Sequence, residues 1–298
     1  MAKRRKGLLH LSKAATTFAE RSGMGMSLGD GGLRQSDRGR LTDPEYVRAI
    51  DLSRRIAVEV GTPRFYLERE REVALSRELC VSDPLLDEAR RIVEERGDRI
   101  GHGLTHVRKV AIDAGALILI EKAGELPGDR VRRLVLLAHL AGLFHDIRRS
   151  EKNHAERGAD EAAGLLAAFP LQDDERREIA DAIRNHEAFR PSRSHPGLAE
   201  HLLSDALYDA DKFRWGPDNF TETLWAMIIP RGIPLRALLP RFLSGMEGIR
   251  KIRGSFRTAT GRDYGPDFID RGLAIGQQLY KELTAQKNIP QGISPGGN

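Results

Sequence analysis

An adjacent histidine and aspartate, His145 and Asp146, follow the apolar run LVLLAHLAGLF near the middle of the chain. A neutral imidazole and a carboxylate are a natural pair of ligands for a divalent metal ion. On a helix, neighbouring side chains point about 100° apart, so both reach one ion only if it lies between them. The sequence therefore predicts a metal site at this helix end, with further ligands contributed by other segments.

Two other stretches carry residues that could complete such a site. GHGLTHVRKV places His106 at the start of a predicted helix, and LYDADKFRWG places Asp209 and Asp211 near the end of another. The single cysteine, Cys80, excludes a thiolate zinc cluster and an intramolecular disulfide. Nitrogen and oxygen atoms must therefore hold any metal ion.

The order of these residues resembles the HD superfamily of metal-dependent phosphohydrolases. His106–Val110 is similar to the family's H-x-x-[RK]-V stretch, and the ADKF sequence around Asp211 is similar to its A-D-x-L stretch. The similarity covers roughly residues 101–216. It implies an HD-type helical bundle in which four residues bind the metal: His106, His145, Asp146 and Asp211.

Two further histidines, His154 and His186, lie at the start and near the end of two predicted helices. They resemble positions at which some HD proteins bind a second metal or contact the substrate phosphate, so both are candidate catalytic residues beside Asp146. The HD-GYP members, best known for two metals, carry paired histidines before the last aspartate and a GYP sequence. Here His201 stands alone and GYP is absent, so the number of bound metal ions, one or two, remains open. The alternative is that both histidines are polar residues at helix ends that interact only with neighbouring parts of the chain.

Phosphate hydrolysis also needs cations near the metal. Lys109, one turn after His106, is a candidate catalytic residue, and Lys212, next to Asp211, is a candidate for substrate binding. Arg148 and Arg149 follow the His-Asp pair directly. The alternative for both lysines is a solvated position on a helix surface.

A second group of cations lies in the sequence IRKIRGSFRTATGR. Arg257 and Arg262 are its candidate substrate contacts, because Gly254 and Gly261 would let the backbone approach a ligand. The preferred interpretation of the whole segment is a flexible basic loop.

The resemblance implies hydrolysis of a phosphate mono- or diester, with a nucleotide as the first candidate. A divalent ion (Mn, Mg, Fe, Co, Ni or Zn) would neutralise the phosphate and activate water. Two alternatives stay open: a diiron HD-type oxygenase, and a non-catalytic regulatory module that binds metal or a nucleotide. The sequence has neither a Gly-rich phosphate loop after a strand nor a Ser or Cys nucleophile in a recognisable setting.

The net charge of +5 comes from the N-terminus. Residues 1–40 hold nine basic and three acidic residues, which leaves 39 basic and 40 acidic residues elsewhere. Such a tail could contact nucleic acid through phosphates, but a solvated terminus is the preferred interpretation.

The longest uncharged run of the central helix is 11 residues, whereas a membrane span needs roughly 18. With no secretory signal and one cysteine, we expect a cytoplasmic protein without a membrane partner, and self-association stays open.

No strand pattern recurs, so the predicted fold is all-α, with extra helices on both sides of the HD-type bundle. The predicted segments are a flexible basic tail (1–42), N-terminal helices (43–98), the metal-binding domain (99–216), a C-terminal helical cap (217–286) and a flexible tail (287–298).

Several local details can be checked against a structure. We expect one helix over Arg64–Leu79, Asp129 as the cap of the central helix and a final helix over Asp267–Ala285. Helix-breaking prolines should divide the segment before it into short pieces, namely Pro230, Pro234 and Pro240. His139 lies about 240° round the helix from His145 and is expected to be structural. The other histidines set aside as non-ligands are His10, His102, His195 and His201.

Overall fold

The computed structural model describes residues 43–96, 103–190 and 201–287, and these residues form helices and no β-strand. The prediction of an all-α fold is confirmed. The α-helices of this part of the chain are α1 (Pro44–Val60), α2 (Arg64–Glu68), α3 (Glu70–Ser82), α4 (Pro84–Arg96), α5 (Leu104–Glu121), α6 (Gly128–Phe144), α7 (His154–Leu166), α8 (Asp173–Arg184), α9 (Leu202–Phe213), α10 (Leu224–Ile228), α11 (Leu235–Ile252) and α12 (Ala259–Lys287). A π-helical turn, Asn219–Thr223, precedes α10. The predicted basic tail and His10, His102 and His195 lie outside the described residues.

Helix α1 has a side-chain cap at its start and a glycine at its end. The Asp43 side chain accepts a hydrogen bond from the backbone nitrogen of Glu45 at 2.8 Å, and Gly61 ends α1 with a φ of 88°. The single helix expected over Arg64–Leu79 is wrong, because the backbone departs from helical geometry at Arg69, between α2 and α3. Tertiary contacts hold α2 in place separately from α3, since Phe65 of α2 is fully buried among aromatic rings.

Helices α5 and α6 cross at very short range in the centre of the fold. A methyl group added at Gly142 of α6 would lie 2.4 Å from the Cα atom of Ala111 on α5. The prediction that Asp129 caps α6 is wrong: Pro127 occupies the N-cap position, and Asp129 lies inside the first turn. A carboxylate there still interacts favourably with the helix dipole.

The C-terminal helices are longer than the sequence suggests. Pro240 lies inside α11 and does not divide it, and α12 begins at Ala259 and passes through Pro266, instead of beginning at Asp267. Burial explains this persistence, because packing of an apolar face stabilises a helix more than local propensity does. The buried residues of α11 include Leu239, Phe242, Met246 and Ile249. Arg262 lies in α12 and Arg257 in the short connection before it, so both ends of the segment expected to be a flexible basic loop are helical and only residues 253–258 connect the two helices.

The outer helices pack onto the central pair and onto each other. Helix α9 packs against α5, α8 packs against both α7 and α9, and α12 packs against α1, α9 and α11. These contacts bring the ends of α5, α6, α7, α8 and α9 together on one side of the fold. Among the described residues, no helix combines the length and apolar character needed to cross a membrane.

Candidate metal centre

The predicted metal ligands stand at the ends of helices and converge on one point. His106 lies in the first turn of α5, and Asp211 lies in the last turn of α9. His145 is the C-cap residue of α6, and Asp146 follows it in a turn. Helix ends can carry polar side chains without interrupting the buried apolar face of the helix. Together these four residues are the first ligand group.

The atoms of the first ligand group have the spacing of ligands around one ion. The two Nε2 atoms of His106 and His145 are 3.3 Å apart. Asp146 Oδ2 lies 3.7 Å and 3.4 Å from them, and Asp211 Oδ1 lies 3.4 Å and 3.7 Å from them. Neighbouring ligands about 2.1 Å from an ion are about 3.0 Å apart in an octahedron and about 3.4 Å apart in a tetrahedron. The buried group of His106, His145 and Asp146 could therefore hold a metal ion, and Asp211 lies beside its two imidazole nitrogens.

The carboxylates of this group suit a metal ion, whereas one histidine would have to release a proton to bind it. Burial lowers the pKa of the His106 imidazole. Burial alone would also lower the pKa of His145, but the Asp146 and Asp211 carboxylates raise it, so a metal ion would compete with a proton for this imidazole. Burial alone would raise the pKa values of Asp146 and Asp211, but positive neighbours, above all His145 for Asp146 and Lys212 for Asp211, hold both well below the usual range. His145 Nδ1 donates to the carbonyl oxygen of Gly142 at 2.8 Å, which directs Nε2 toward the centre. The two carboxylates are thus ionised and both Nε2 atoms face the position that an ion would take.

A second ligand group shares Asp146. Its other oxygen, Oδ1, lies 3.8 Å from His154 Nε2 and 3.6 Å from His186 Nε2, and the two nitrogens are 3.2 Å apart. His186 Nδ1 donates to the carbonyl oxygen of Ile183 at 2.6 Å, so its Nε2 atom also faces the group. The structure therefore brings His154 and His186 to the predicted site, with one carboxylate between two sets of histidines. Asp146, His154 and His186 are the second ligand group.

Two predicted cations lie in ion pairs beside the centre. Lys212 is 2% exposed; its ammonium group donates to the Asp211 carboxylate and, at 2.9 Å, to the carbonyl oxygen of His186. Lys109 pairs with the Glu222 carboxylate at 2.6 Å and lies 3.3 Å from Asp218. Both lysines hold other elements in place around the ligands, and their roles toward a substrate stay predictions.

The other two predicted cations lie near the connection between α11 and α12. The Arg257 guanidinium stacks 3.6 Å above the ring of Tyr208 and donates to the carbonyl oxygen of Asn185 at 3.1 Å, next to His186. Arg262 donates to the carbonyl oxygen of Arg257. Arg257 thus contacts the backbone one residue before His186 of the second ligand group, whereas Arg262 contacts the connection itself.

Asp209 organises this connection and is not placed as a ligand. Its carboxylate accepts from the backbone nitrogens of Arg257 and Thr258, each at 2.8 Å. A methyl group added at Gly261 would lie 2.0 Å from Asp209 Oδ2, so the glycine makes room for this carboxylate and not for a ligand. Burial raises the pKa of Asp209 to about 6 despite these hydrogen bonds. Asp211, and not Asp209, lies beside His106 and His145, and its role as a ligand stays a prediction.

His139, the histidine predicted to be structural, is 1% exposed, and its Nε2 atom lies 2.9 Å from the hydroxyl oxygen of Ser76. Burial lowers its pKa to about 3, so the ring is neutral. His201 stands exposed at the start of α9.

Sequence reasoning missed two features of the site. Glu187 Oε1 lies 3.2 Å from His154 Nδ1, and nothing in the sequence distinguishes it from a surface glutamate. A buried network joins Asp113 to Arg214 and to the Tyr66 hydroxyl at 2.7 Å. The buried position of Asp113 could have been predicted, because this charged residue lies two helical turns after His106 on an otherwise apolar face of the helix.

Comparison of the chain with protein-family models, with curated proteins and with solved structures finds no match.

Proposed function

We propose that this chain is a metal-dependent phosphohydrolase of the HD type that cleaves a phosphate mono- or diester, with nucleotides as the first substrates to test. The observation that supports this proposal is the position of Asp146, whose two oxygens face two different sets of histidines. The order of ligands along the chain, which resembles the HD superfamily, supports it independently. The donor set of imidazole nitrogens and carboxylate oxygens suits Mn, Fe, Co, Ni or Zn better than it suits Mg alone.

In this proposal the residues of the first ligand group hold a divalent ion. When bound, the ion supplies charge neutralisation at the phosphate and activates water for attack. Asp146 and Asp211 contribute two negative charges, which balance those of a divalent ion. Burial lowers the pKa of His154 to about 4, so near pH 7 its imidazole is neutral.

The deciding experiment compares metal content and hydrolysis in wild type, Asp146→Ala and a control variant. Metal-free protein is reloaded with each divalent ion and assayed for phosphate release from nucleotides and for cleavage of a generic aryl phosphodiester. We expect stoichiometric metal and turnover in wild type, and loss of both in Asp146→Ala. His201→Ala removes an exposed histidine and should change neither.

The outcomes separate the alternatives left open by the sequence. Wild type that binds no divalent ion under any supplementation would refute the proposal and leave the His/Asp groups as structural features. Stoichiometric metal without turnover of any phosphate ester would favour a non-catalytic metal-binding module.

A diiron oxygenase is the second candidate, and the second ligand group is the observation that favours it. Asp146, His154 and His186 could hold a second ion close to the first. This candidate requires two irons per chain in protein produced with iron, and oxygen uptake that depends on an organic substrate. One iron per chain would exclude it.

A further inference from the structure

An arginine lies against the second ligand group. Arg149 Nη1 is 2.9 Å from His154 Nε2 and 3.7 Å from Asp146 Oδ1. These are two of the three atoms that would bind a second ion. A positive charge therefore already stands beside the second position.

The local backbone fixes this placement. Arg149 follows Asp146 by three residues in the turn after α6, and its backbone nitrogen donates to the carbonyl oxygen of Asp146 at 3.0 Å. The guanidinium and the carboxylate thus start from the same turn and point to the same side. The Arg149 side chain is 37% exposed, so it has room to move away from the group.

The chemistry of the contact makes arginine and metal competitors. A guanidinium is always charged and has only N–H donors, so it must donate to the lone pair of His154 Nε2. A metal ion needs that same lone pair. The other ring nitrogen of His154 lies 3.2 Å from the Glu187 carboxylate, which favours its proton on Nδ1 and keeps Nε2 as the acceptor. Both cations cannot use Nε2 at once, and their charges repel each other.

We infer that Arg149 takes the place of a second metal ion, so that the chain binds one divalent ion tightly, at the first ligand group. The guanidinium then supplies the second positive charge of the centre and offers its remaining donors to an anionic group of the substrate. This assignment rests on the proposed metal centre, and it predicts how many ions the centre takes.

The neighbouring arginine offers a matched control. Arg148 lies in the same turn and is 38% exposed, but it pairs with Glu161 at 3.0 Å and lies 3.5 Å from Glu151. Arg148→Met and Arg149→Met therefore remove the same charge from adjacent, equally exposed positions. Only the second substitution removes a cation from the second ligand group.

The experiment titrates metal-free, full-length protein with Mn²⁺ alone and counts bound ions by equilibrium dialysis. Electron paramagnetic resonance then distinguishes single Mn²⁺ ions from exchange-coupled pairs. We expect one tightly bound ion in wild type and in Arg148→Met. In Arg149→Met we expect a second ion, bound about tenfold or more tightly than in wild type, together with a coupled-pair signal. Arg149→Lys keeps the charge and should behave like wild type.

A double variant locates the second ion. Arg149→Met combined with His154→Ala should return to one ion per chain. Two ions of similar affinity in wild type, or unchanged second-ion affinity in Arg149→Met, would overturn the inference while leaving the hydrolase proposal intact. Wild type that binds no Mn²⁺ would overturn both.

Discussion

The ammonium group of Lys212 donates a hydrogen bond across 2.9 Å to the backbone carbonyl oxygen of His186. The same ammonium donates to the Asp211 carboxylate. One buried cation therefore connects a side-chain ligand of the first group to the backbone that carries a ligand of the second. It also balances the charge of Asp211 when no metal is present.

Replacing this lysine should destabilise the metal-free protein more than the metal-bound protein. In Lys212→Met the buried Asp211 carboxylate loses its cation, and breaking a buried pair costs about 3–5 kcal/mol of unfolding free energy. A bound divalent ion would supply the missing positive charge, so the loss should be smaller with Mn²⁺. Urea unfolding with chelator and with Mn²⁺ measures the difference.

Arg253→Met is the control for this comparison. Arg253 pairs at 2.9 Å with Asp270, both side chains are about half exposed, and surface pairs of this kind contribute at most about 1 kcal/mol. Equal losses of stability for Lys212→Met with and without Mn²⁺ would show that the metal does not share the charge of Asp211.

Gly142 should be required for the distance between the two histidine ligands of the first group. A methyl group there would lie 2.4 Å and 2.7 Å from backbone atoms of Ala111, so Gly142→Ala must push α6 away from α5. His106 and His145 belong to these two helices, and their Nε2 atoms are 3.3 Å apart. We expect a loss of about 1–3 kcal/mol in stability, as for other overpacked cores, and weaker Mn²⁺ binding by dialysis.

Gly164→Ala is the control for Gly142→Ala, because we expect it to raise stability and not to lower it. Gly164 lies inside α7, and a methyl group added there meets nothing within 4 Å. The substitution should therefore stabilise the protein by up to about 1 kcal/mol and leave Mn²⁺ affinity unchanged. If Gly142→Ala kept wild-type metal affinity, the α5–α6 contact would not control the ligand distance.

His139 should make the protein less stable in acid, independently of the metal. Its pKa is about 3 in the folded chain, against 6.5 as the ordinary value, so the unfolded chain binds the extra proton first. The stability from this residue is complete above pH 6.5 and is lost as the pH falls toward 3. At pH 5 the loss is about 2 kcal/mol.

The measurement compares urea unfolding of metal-free wild type and His139→Gln between pH 5 and pH 8. Glutamine can keep the hydrogen bond to Ser76 but does not titrate, so the variant should lose less stability in acid. Because the two proteins share all other ionisable groups, only the difference between the two curves reports on His139. Parallel curves would contradict the prediction.

The positions of the candidate metal ligands could be predicted because each lies at a helix end that the sequence marks. His145 follows a long apolar run, and Asp211 lies in the ADKF sequence, which follows His106 and the His145-Asp146 pair along the chain in an order that resembles the HD superfamily. The contacts of Arg149 and Lys212 could not be predicted, since tertiary packing decides where a long side chain points. Pro240 was misjudged for the same reason: burial of one helix face outweighs the local preference of a proline.

The packing of the last described helix against the first has a consequence for synthesis of the protein. Helix α12 covers α1, and the Arg271 guanidinium donates to the carbonyl oxygen of Val60 at 2.6 Å. While the ribosome is still adding residues before α12, α1 lacks this partner, and apolar residues such as Ile50 and Ile56 are less protected. Contacts between residues so far apart in sequence also form slowly. Nascent chains should therefore depend on chaperones until α12 has emerged from the exit tunnel.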